Sequence, residues 1–121
     1  MIRVVGAVAV VDGRVLLARR GPGSYEGRWE FPGGKVEAGE DDRAALAREI
    51  REELAVSVRV SEHLATGSDE RIELHCYRVQ LDGEPRALEH TELAWFPLSA
   101  LASVDVPPAD VPAVEALLAG V

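Results

Sequence analysis

The apolar residues of the chain follow two periods, one typical of strands and one typical of helices. Runs that alternate apolar and polar side chains, or that are rich in valine, predict β-strands. These runs lie at residues 4–11, 14–18, 57–66, 71–81 and 93–96. A helix that ends near Leu54 is predicted by the helical spacing of Leu46, Ala47 and Ile50, and residues 111–118 form a second amphipathic segment. The pattern therefore predicts strands on both sides of a central helix, with another helix near the end of the chain.

Short polar segments separate these elements. The dipeptide Asp12-Gly13 is typical of a tight hairpin between the first two strands. Residues 21–27 predict a loop by their glycine content, and residues 67–70 predict a turn. Residues 28–34 predict an extended segment that ends in a turn at its glycine pair. The acidic residues 40–42 lie where their side chains can cap the central helix.

Length and hydropathy indicate a single compact unit. The 121 residues are enough for one domain with a hydrophobic core, which we expect to span residues 1–121. No stretch approaches the ~20 uninterrupted apolar residues of a membrane span. The start of the chain also lacks a cleavage site of the signal-peptide type. We therefore expect a cytoplasmic protein that does not act at a membrane.

Cysteine content and net charge exclude several classes of site. Cys76 is the only cysteine, which excludes an intrachain disulfide and a cysteine-rich zinc site, and its alternating run predicts a buried strand position. The formal net charge of −8 argues against a nucleic acid polymer as the partner. A small phosphate ester is compatible with this charge, because a bound cation reverses the sign of the local field.

The central helix carries three carboxylates that crowd one another. Glu49, Glu52 and Glu53 stand at positions i, i+3 and i+4, so their side chains project from nearly the same side of the helix. On that face, only Arg48 is available to neutralise them. A hard divalent cation takes oxygen ligands of this kind, whereas the alternative is a solvated acidic face. The three glutamates alone leave both interpretations open.

The wider pattern around the helix resembles the motif of the Nudix hydrolases. Eight of its defined positions match in type and spacing, and they are Gly34, Glu40, Arg48, Glu49, Ile50, Glu52, Glu53 and Val56. The second glycine of the motif is replaced by Ala55. This position is expected just past the end of the helix, where a left-handed backbone is common and alanine costs up to ~1 kcal/mol more than glycine.

Further landmarks resemble the MutT-like branch of this family, and in particular its bacterial members that act on cytidine nucleotides. They are the Arg19-Arg20 pair, residues 29–40, residues 89–95 and residues 108–112. The resemblance implies an α/β (α+β) fold in which a mixed β-sheet is packed between helices and the motif forms a loop, a helix and a loop. It also implies hydrolysis of a nucleoside triphosphate to the monophosphate and pyrophosphate.

The resemblance implies a set of metal ligands and catalytic residues. The Gly33 carbonyl, Glu49, Glu52 and Glu53 are expected to bind Mg²⁺ or Mn²⁺, and Glu89 matches a position from which the family often supplies a further carboxylate. We interpret Glu49 as the general base and Arg48 as the residue that orients the glutamates by ion pairing. The role of Glu89, as ligand or as base, stays open.

The substrate-binding residues follow from the same resemblance. Arg20 is similar to a phosphate-contacting arginine, and Phe31, which alone would be a core residue, is included among the substrate-binding candidates. Asp110 is expected to cap the last helix and also matches the position that hydrogen-bonds the base. The favoured substrates are CTP, dCTP and modified or oxidised nucleotides such as 8-oxo-dGTP, which implies sanitation of the nucleotide pool in support of DNA repair.

Two other functions and the oligomeric state stay open. The chain could hydrolyse ADP-ribose or another nucleoside diphosphate derivative, or it could be a nucleotide-binding regulatory module without catalysis. A monomer and a homodimer are both compatible with the sequence. His63, His75 and His90 share no metal-ligand spacing, and we interpret them as ordinary strand or loop residues.

Overall fold

The structure is a computed structural model that describes residues 1–90 and 92–120. The strands are β1 (Ile2–Val11), β2 (Arg14–Arg19), β3 (Trp29–Glu30), β4 (Gly33–Lys35), β5 (Ser57–Ser68), β6 (Ile72–Asp82) and β7 (Glu92–Pro97). The α-helices are α1 (Asp42–Leu54) and α2 (Val111–Leu118), and Leu98–Ser103 and Pro108–Asp110 form 3₁₀ helices. Both α-helices fall short of the length that a membrane crossing requires.

The strands form one mixed sheet that is organised around β1. Its order is β3-β2-β1-β6-β5, while β4 pairs with the first half of β1 and β7 pairs with β2. The β1–β6 pairing is parallel, and the other pairings are antiparallel. The sheet lies between α1 and α2, so the predicted architecture of a mixed sheet packed between helices is confirmed.

The alternation of side chains along β1 divides the core into two layers. Val5 and Ala7 face α1, where they belong to the same cluster as Ile50. Val8 faces the opposite side, in the cluster that contains Leu117 of α2. Because successive residues of a strand point to opposite faces, one valine-rich strand can supply both layers. Each helix is thereby fixed to its own face of the sheet.

The central helix begins and ends where the sequence predicts. Asp41 lies at the N-cap in an extended conformation, and its side chain accepts a hydrogen bond of 2.8 Å from the Ala44 amide. The helix ends at Ala55, which has a left-handed backbone (φ 58°, ψ 31°) and donates its amide to the Arg51 carbonyl at 3.1 Å. The expected left-handed exit is therefore confirmed, and alanine occupies it.

Two predicted turns are wrong. Gly33 and Gly34 lie inside β4, opposite Gly6 and Val5 of β1, instead of forming a turn. Gly67 extends β5 and pairs with Leu74, so the turn between β5 and β6 starts later than expected. In both strands glycine serves a close approach of neighbouring groups: a Cβ on Gly33 would overlap the Val5 carbonyl oxygen.

The left-handed exit of α1 gives the first prediction. Substitution Ala55→Gly should raise the free energy of unfolding by about 1 kcal/mol, because glycine adopts a positive φ without the steric penalty of a Cβ. The matched control is Ala47→Gly inside the helix, which should lower the free energy of unfolding by about 1 kcal/mol. Urea denaturation of the two variants measures both values. A loss of stability in Ala55→Gly would contradict the proposed strain.

Candidate functional site

A cleft of about 650 Å³ lies beside the N-terminal half of β1. Segments that are distant in sequence meet there, because β4 and β6 both pair with this half of β1. Of the residues predicted for the site, the structure places five along the cleft, namely Arg20, Phe31, Gly33, Glu53 and Asp110. Arg48, Glu49, Glu52 and Glu89 are not among its lining residues.

Glu53 is the most unusual carboxylate of the site. The residue is only 6% exposed, and its Oε2 has no hydrogen-bond partner within the described part of the chain. Burial raises the pKa of Glu53 well above its usual range, and the neighbouring charges of Glu49, Glu30 and Glu89 raise it further. A carboxylate held in this way gains much from a cation.

Glu30 and His90 also belong to the site, although the sequence did not indicate them. Glu30 accepts hydrogen bonds on both oxygens: Arg20 Nη1 donates to Oε1 at 2.7 Å, and His90 Nε2 lies 2.9 Å from Oε2. His90 lies in a loop as expected, and its Nδ1 is buried 3.8 Å from Oε2 of Glu53. Glu30 and His90 are 60 positions apart, so no local spacing in the sequence could have connected them.

Arg48 holds the loop before α1 against the helix. Its Nε and Nη2 donate to the two oxygens of Glu40 at 2.7 and 2.9 Å, and Nη2 also donates to the Lys35 carbonyl at 3.0 Å. These hydrogen bonds are the main reason why the pKa of Glu40 is lowered to about 2. Nη1 donates to Glu49 at 2.9 Å and to Glu52 at 3.3 Å. Arg48 therefore orients two of the three helix glutamates.

The three helix glutamates share one side of α1 but differ in environment. The Glu53 side chain is buried, the Glu49 side chain is 14% exposed, and the Glu52 side chain is 52% exposed. Glu49 packs against the backbone of Gly34, where any Cβ would overlap its carboxylate. Within residues 1–90 and 92–120, no three Asp, Glu, His or Cys side chains are arranged around a common metal position.

Glu89 lies in the segment that precedes β7, close to the end of α1. The amides of Arg86 and Leu88 donate to the carbonyls of Leu54 and Glu53 at 2.9 and 3.0 Å, which holds this segment beside the helix. Glu89 itself is exposed. Its negative charge contributes to the raised pKa of Glu53, so the structure places it near the acidic cluster.

Asp110 does not cap α2, and that prediction is wrong. It occupies the N-cap position without a side-chain hydrogen bond to the helix. Its Oδ2 instead accepts the Phe31 amide at 3.0 Å, across the cleft wall. Asp110 is 4% exposed, and this burial raises its pKa to about 7, although the hydrogen bond from Phe31 opposes the shift. Both Phe31 and Asp110 therefore combine a place in the cleft wall with burial in the fold.

Two residues that line the cleft, Tyr25 and Asp69, make a contact that the sequence did not predict. The Tyr25 hydroxyl donates to Oδ2 of Asp69 at 3.3 Å, which joins the loop after β2 to the turn after β5. Oδ1 of Asp69 accepts the amides of Arg71 and Ile72 at 2.7 and 2.8 Å. The same aspartate therefore holds the turn through its backbone amides and the loop through Tyr25.

Comparisons with known proteins agree on one family. The family profile described as NUDIX domain matches residues 1–117. A relative named CTP pyrophosphohydrolase, from Escherichia coli (strain K12), is 42% identical over 125 residues, which cover 98% of this chain and 93% of that protein. A protein of Mycobacterium tuberculosis, named provisionally as 8-oxo-dGTP diphosphatase 2, is 47% identical over 118 residues, covering 89% and 82% of the two chains.

The fold is also shared with a solved structure. The solution structure of the E. coli ORF135 protein superposes with a TM-score of 0.89 at 41% sequence identity. The match covers 98% of this chain and 89% of that chain. The agreement in fold therefore extends over nearly the whole of both chains.

The raised pKa of Asp110 gives the second prediction. Its pKa rises from 3.8 to about 7 on folding, so the folded protein keeps a proton that the unfolded chain has lost within this pH range. The resulting stability is complete at low pH and is lost as the pH rises from about 4 to about 7, by up to ~4 kcal/mol. Asp110→Asn keeps an acceptor for Phe31 and removes the titration. Denaturation at several pH values measures the free energy of unfolding of wild type and variant, and their difference should change between about pH 4 and pH 7. If the two free energies depend on pH in the same way, Asp110 does not have the raised pKa.

Proposed function

The chain belongs to the NUDIX family, and we propose that it is a metal-dependent pyrophosphohydrolase that cleaves nucleoside triphosphates into the monophosphate and pyrophosphate. The observation that carries this proposal is the buried Glu53 carboxyl group, whose Oε2 has no hydrogen-bond partner in the described chain and which has other carboxylates around it. The same cleft contains an arginine for phosphate and an aspartate for the base. The names of two relatives support the proposal.

Mg²⁺ or Mn²⁺ is the cation that best suits the donors of this site. Glu49, Glu52, Glu53 and the Gly33 carbonyl would hold it, with Glu89 as a further carboxylate. All of these donors are oxygens, which hard divalent cations prefer. Because the described side chains do not yet surround a common position, at least one glutamate has to rotate on binding. When bound, the cation neutralises phosphate charge and lowers the pKa of water.

The residues of the chain have separate roles in the proposed reaction. Glu49 is positioned by Arg48 at 2.9 Å and accepts the proton of the attacking water as general base. Arg20 contacts the phosphates, and its guanidinium is held by the Ser24 carbonyl at 2.8 Å and by Glu30 at 2.7 Å. Phosphoryl transfer needs alignment and charge neutralisation more than covalent help from the protein. The site supplies both with residues that are already fixed by their neighbours.

Asp110 is the proposed contact to the base. As a carboxylate it accepts a hydrogen bond from the exocyclic amino group of cytosine, and as a protonated acid it can donate to an acceptor on an oxidised guanine. A pKa of about 7 populates both forms near neutral pH. We therefore place (d)CTP and its modified forms first and 8-oxo-dGTP second. The cellular role that we propose is removal of damaging nucleotides from the cytoplasmic pool, in support of DNA repair.

A substrate panel tests the proposed reaction directly. Purified protein with Mg²⁺ should release pyrophosphate from CTP, dCTP, 5-methyl-dCTP or 8-oxo-dGTP, with kcat/KM for at least one of them well above that for dGTP. The ratio of kcat/KM values is the relevant measure, because selectivity is a difference in transition-state binding. Asp110→Ala should reduce the differences between bases. If no nucleoside triphosphate yields pyrophosphate, the proposed function is wrong.

Substitution Glu53→Gln separates the metal role from folding. Loss of several kcal/mol of charge stabilisation should lower kcat on the order of 100- to 1000-fold, while nucleotide affinity changes little. Without divalent cations the variant should be more stable than wild type, since a neutral amide relieves the crowding of carboxylates around a buried position. Thermal denaturation with and without Mg²⁺ should show a smaller stabilisation by the cation. The exposed substitution Glu115→Gln on α2 serves as the control and should match wild type.

A further inference from the structure

We infer that Gly67, which lies in β5 outside the catalytic helix, is a positioning residue that sets base selectivity by fixing where Asp110 stands in the cleft. The inference rests on the proposed contact between Asp110 and the base. Gly67 itself does not line the cleft. It acts through the 3₁₀ helix Pro108–Asp110, which lies directly on the sheet at this point.

The backbone of the 3₁₀ helix approaches Gly67 more closely than any side chain would allow. A Cβ on Gly67 would overlap the Ala109 carbonyl oxygen and would lie 2.8 Å from Cδ of Pro112 and 2.9 Å from the Ala109 carbonyl carbon. Two of these three atoms belong to the backbone, which cannot rotate away as the end of a flexible side chain can. Any larger residue at this position must therefore displace the 3₁₀ helix.

Glycine is needed at this position because of the limited space and not because of an unusual backbone conformation. Gly67 is not among the residues with a positive φ, and it pairs in register with Leu74 of β6. An alanine can adopt the same strand conformation without backbone strain. Substitution Gly67→Ala therefore changes the distance between β5 and the 3₁₀ helix and leaves the conformation of β5 available.

Two of the atoms that would be displaced belong to the peptide group immediately before Asp110. The Ala109 carbonyl belongs to the peptide group that joins Ala109 to Asp110, so its movement carries the aspartate with it. Asp110 is buried, and its Oδ2 accepts the Phe31 amide at 3.0 Å. A shift of a few tenths of an ångström or more lengthens this hydrogen bond and moves the carboxylate relative to the base. The phosphate-binding and metal-binding groups lie on other elements and stay in place.

The test compares Gly67→Ala with wild type on two triphosphates that differ only in the base, CTP and UTP. We expect the ratio of their kcat/KM values to fall on the order of tenfold in Gly67→Ala, mainly through KM. The control is Leu117→Ala, which removes a buried side chain of α2 without adding an atom at the contact. It should lose stability and keep the ratio of wild type.

A double-mutant cycle with Asp110→Ala asks whether Gly67 acts through the aspartate. In the Asp110→Ala background, Gly67→Ala should change the ratio no further, because the group that it displaces is absent. Amide hydrogen exchange of Phe31 supplies a readout that does not depend on activity. The Phe31 amide should exchange faster in Gly67→Ala than in wild type. In Leu117→Ala its exchange should change only by the amount that the loss of global stability explains. If Gly67→Ala folds poorly, the double variant Gly67→Ala/Pro112→Ala removes the Pro112 ring from the contact. The same measurements are then made on the double variant.

The outcomes separate this inference from the proposed function. If Asp110→Ala abolishes the preference between bases but Gly67→Ala keeps both the preference and the Phe31 protection, Gly67 has no positioning role and the inference is wrong. If Asp110→Ala leaves the preference intact, the proposed contact to the base is wrong, and the inference fails with it. A loss of preference in Gly67→Ala that adds fully to that of Asp110→Ala also overturns the inference, because Gly67 would then act by another route.

Discussion

The burial of the Glu53 carboxylate is the constraint on which the rest of the site depends. Ionisation of a buried carboxyl group without a compensating charge costs several kcal/mol in a protein, and here the neighbouring charges of Glu49, Glu30 and Glu89 add to that cost. The apolar side of α1 keeps the helix against the sheet in spite of it, since Leu46, on that side, is completely buried. The fold therefore holds a group in a position that a cation would stabilise, which is a common property of functional sites.

The arginines of the site pair with carboxylates at its edges, so they do not neutralise Glu53. Arg48 is occupied by Glu40, Glu49 and Glu52 at the edge of the helix, and Arg20 is paired with Glu30. Among the described residues, neither arginine forms an ion pair with Glu53. A polyphosphate would enter this negative environment only together with a cation, so substrate and metal are expected to bind cooperatively.

The sequence predicted local features well and long-range contacts poorly. The helix limits, an acidic cap within residues 40–42 and the left-handed exit at Ala55 follow from local spacing and capping rules, which act within a few residues. The contact of Glu30 with His90 joins residues far apart, and only the sheet topology brings them together. Glycine was ambiguous for a related reason. A glycine in a sequence indicates either a turn or a position where another backbone approaches closely. At Gly67 the reason is the close approach of the 3₁₀ helix.

Asp110 shows how the local conformation decides which partner a side chain finds. Asp41 and Asp110 both precede a helix, and a capping rule predicts the same hydrogen bond for each. Asp41 is extended (φ −88°, ψ 174°), so its carboxylate can turn back to the helix amides. Asp110 ends a 3₁₀ helix and is itself helical (φ −83°, ψ −17°), a conformation that an N-cap residue does not usually adopt. Its carboxylate therefore points away from α2 to the Phe31 amide, and a residue that sequence rules assign to helix capping becomes part of the cleft.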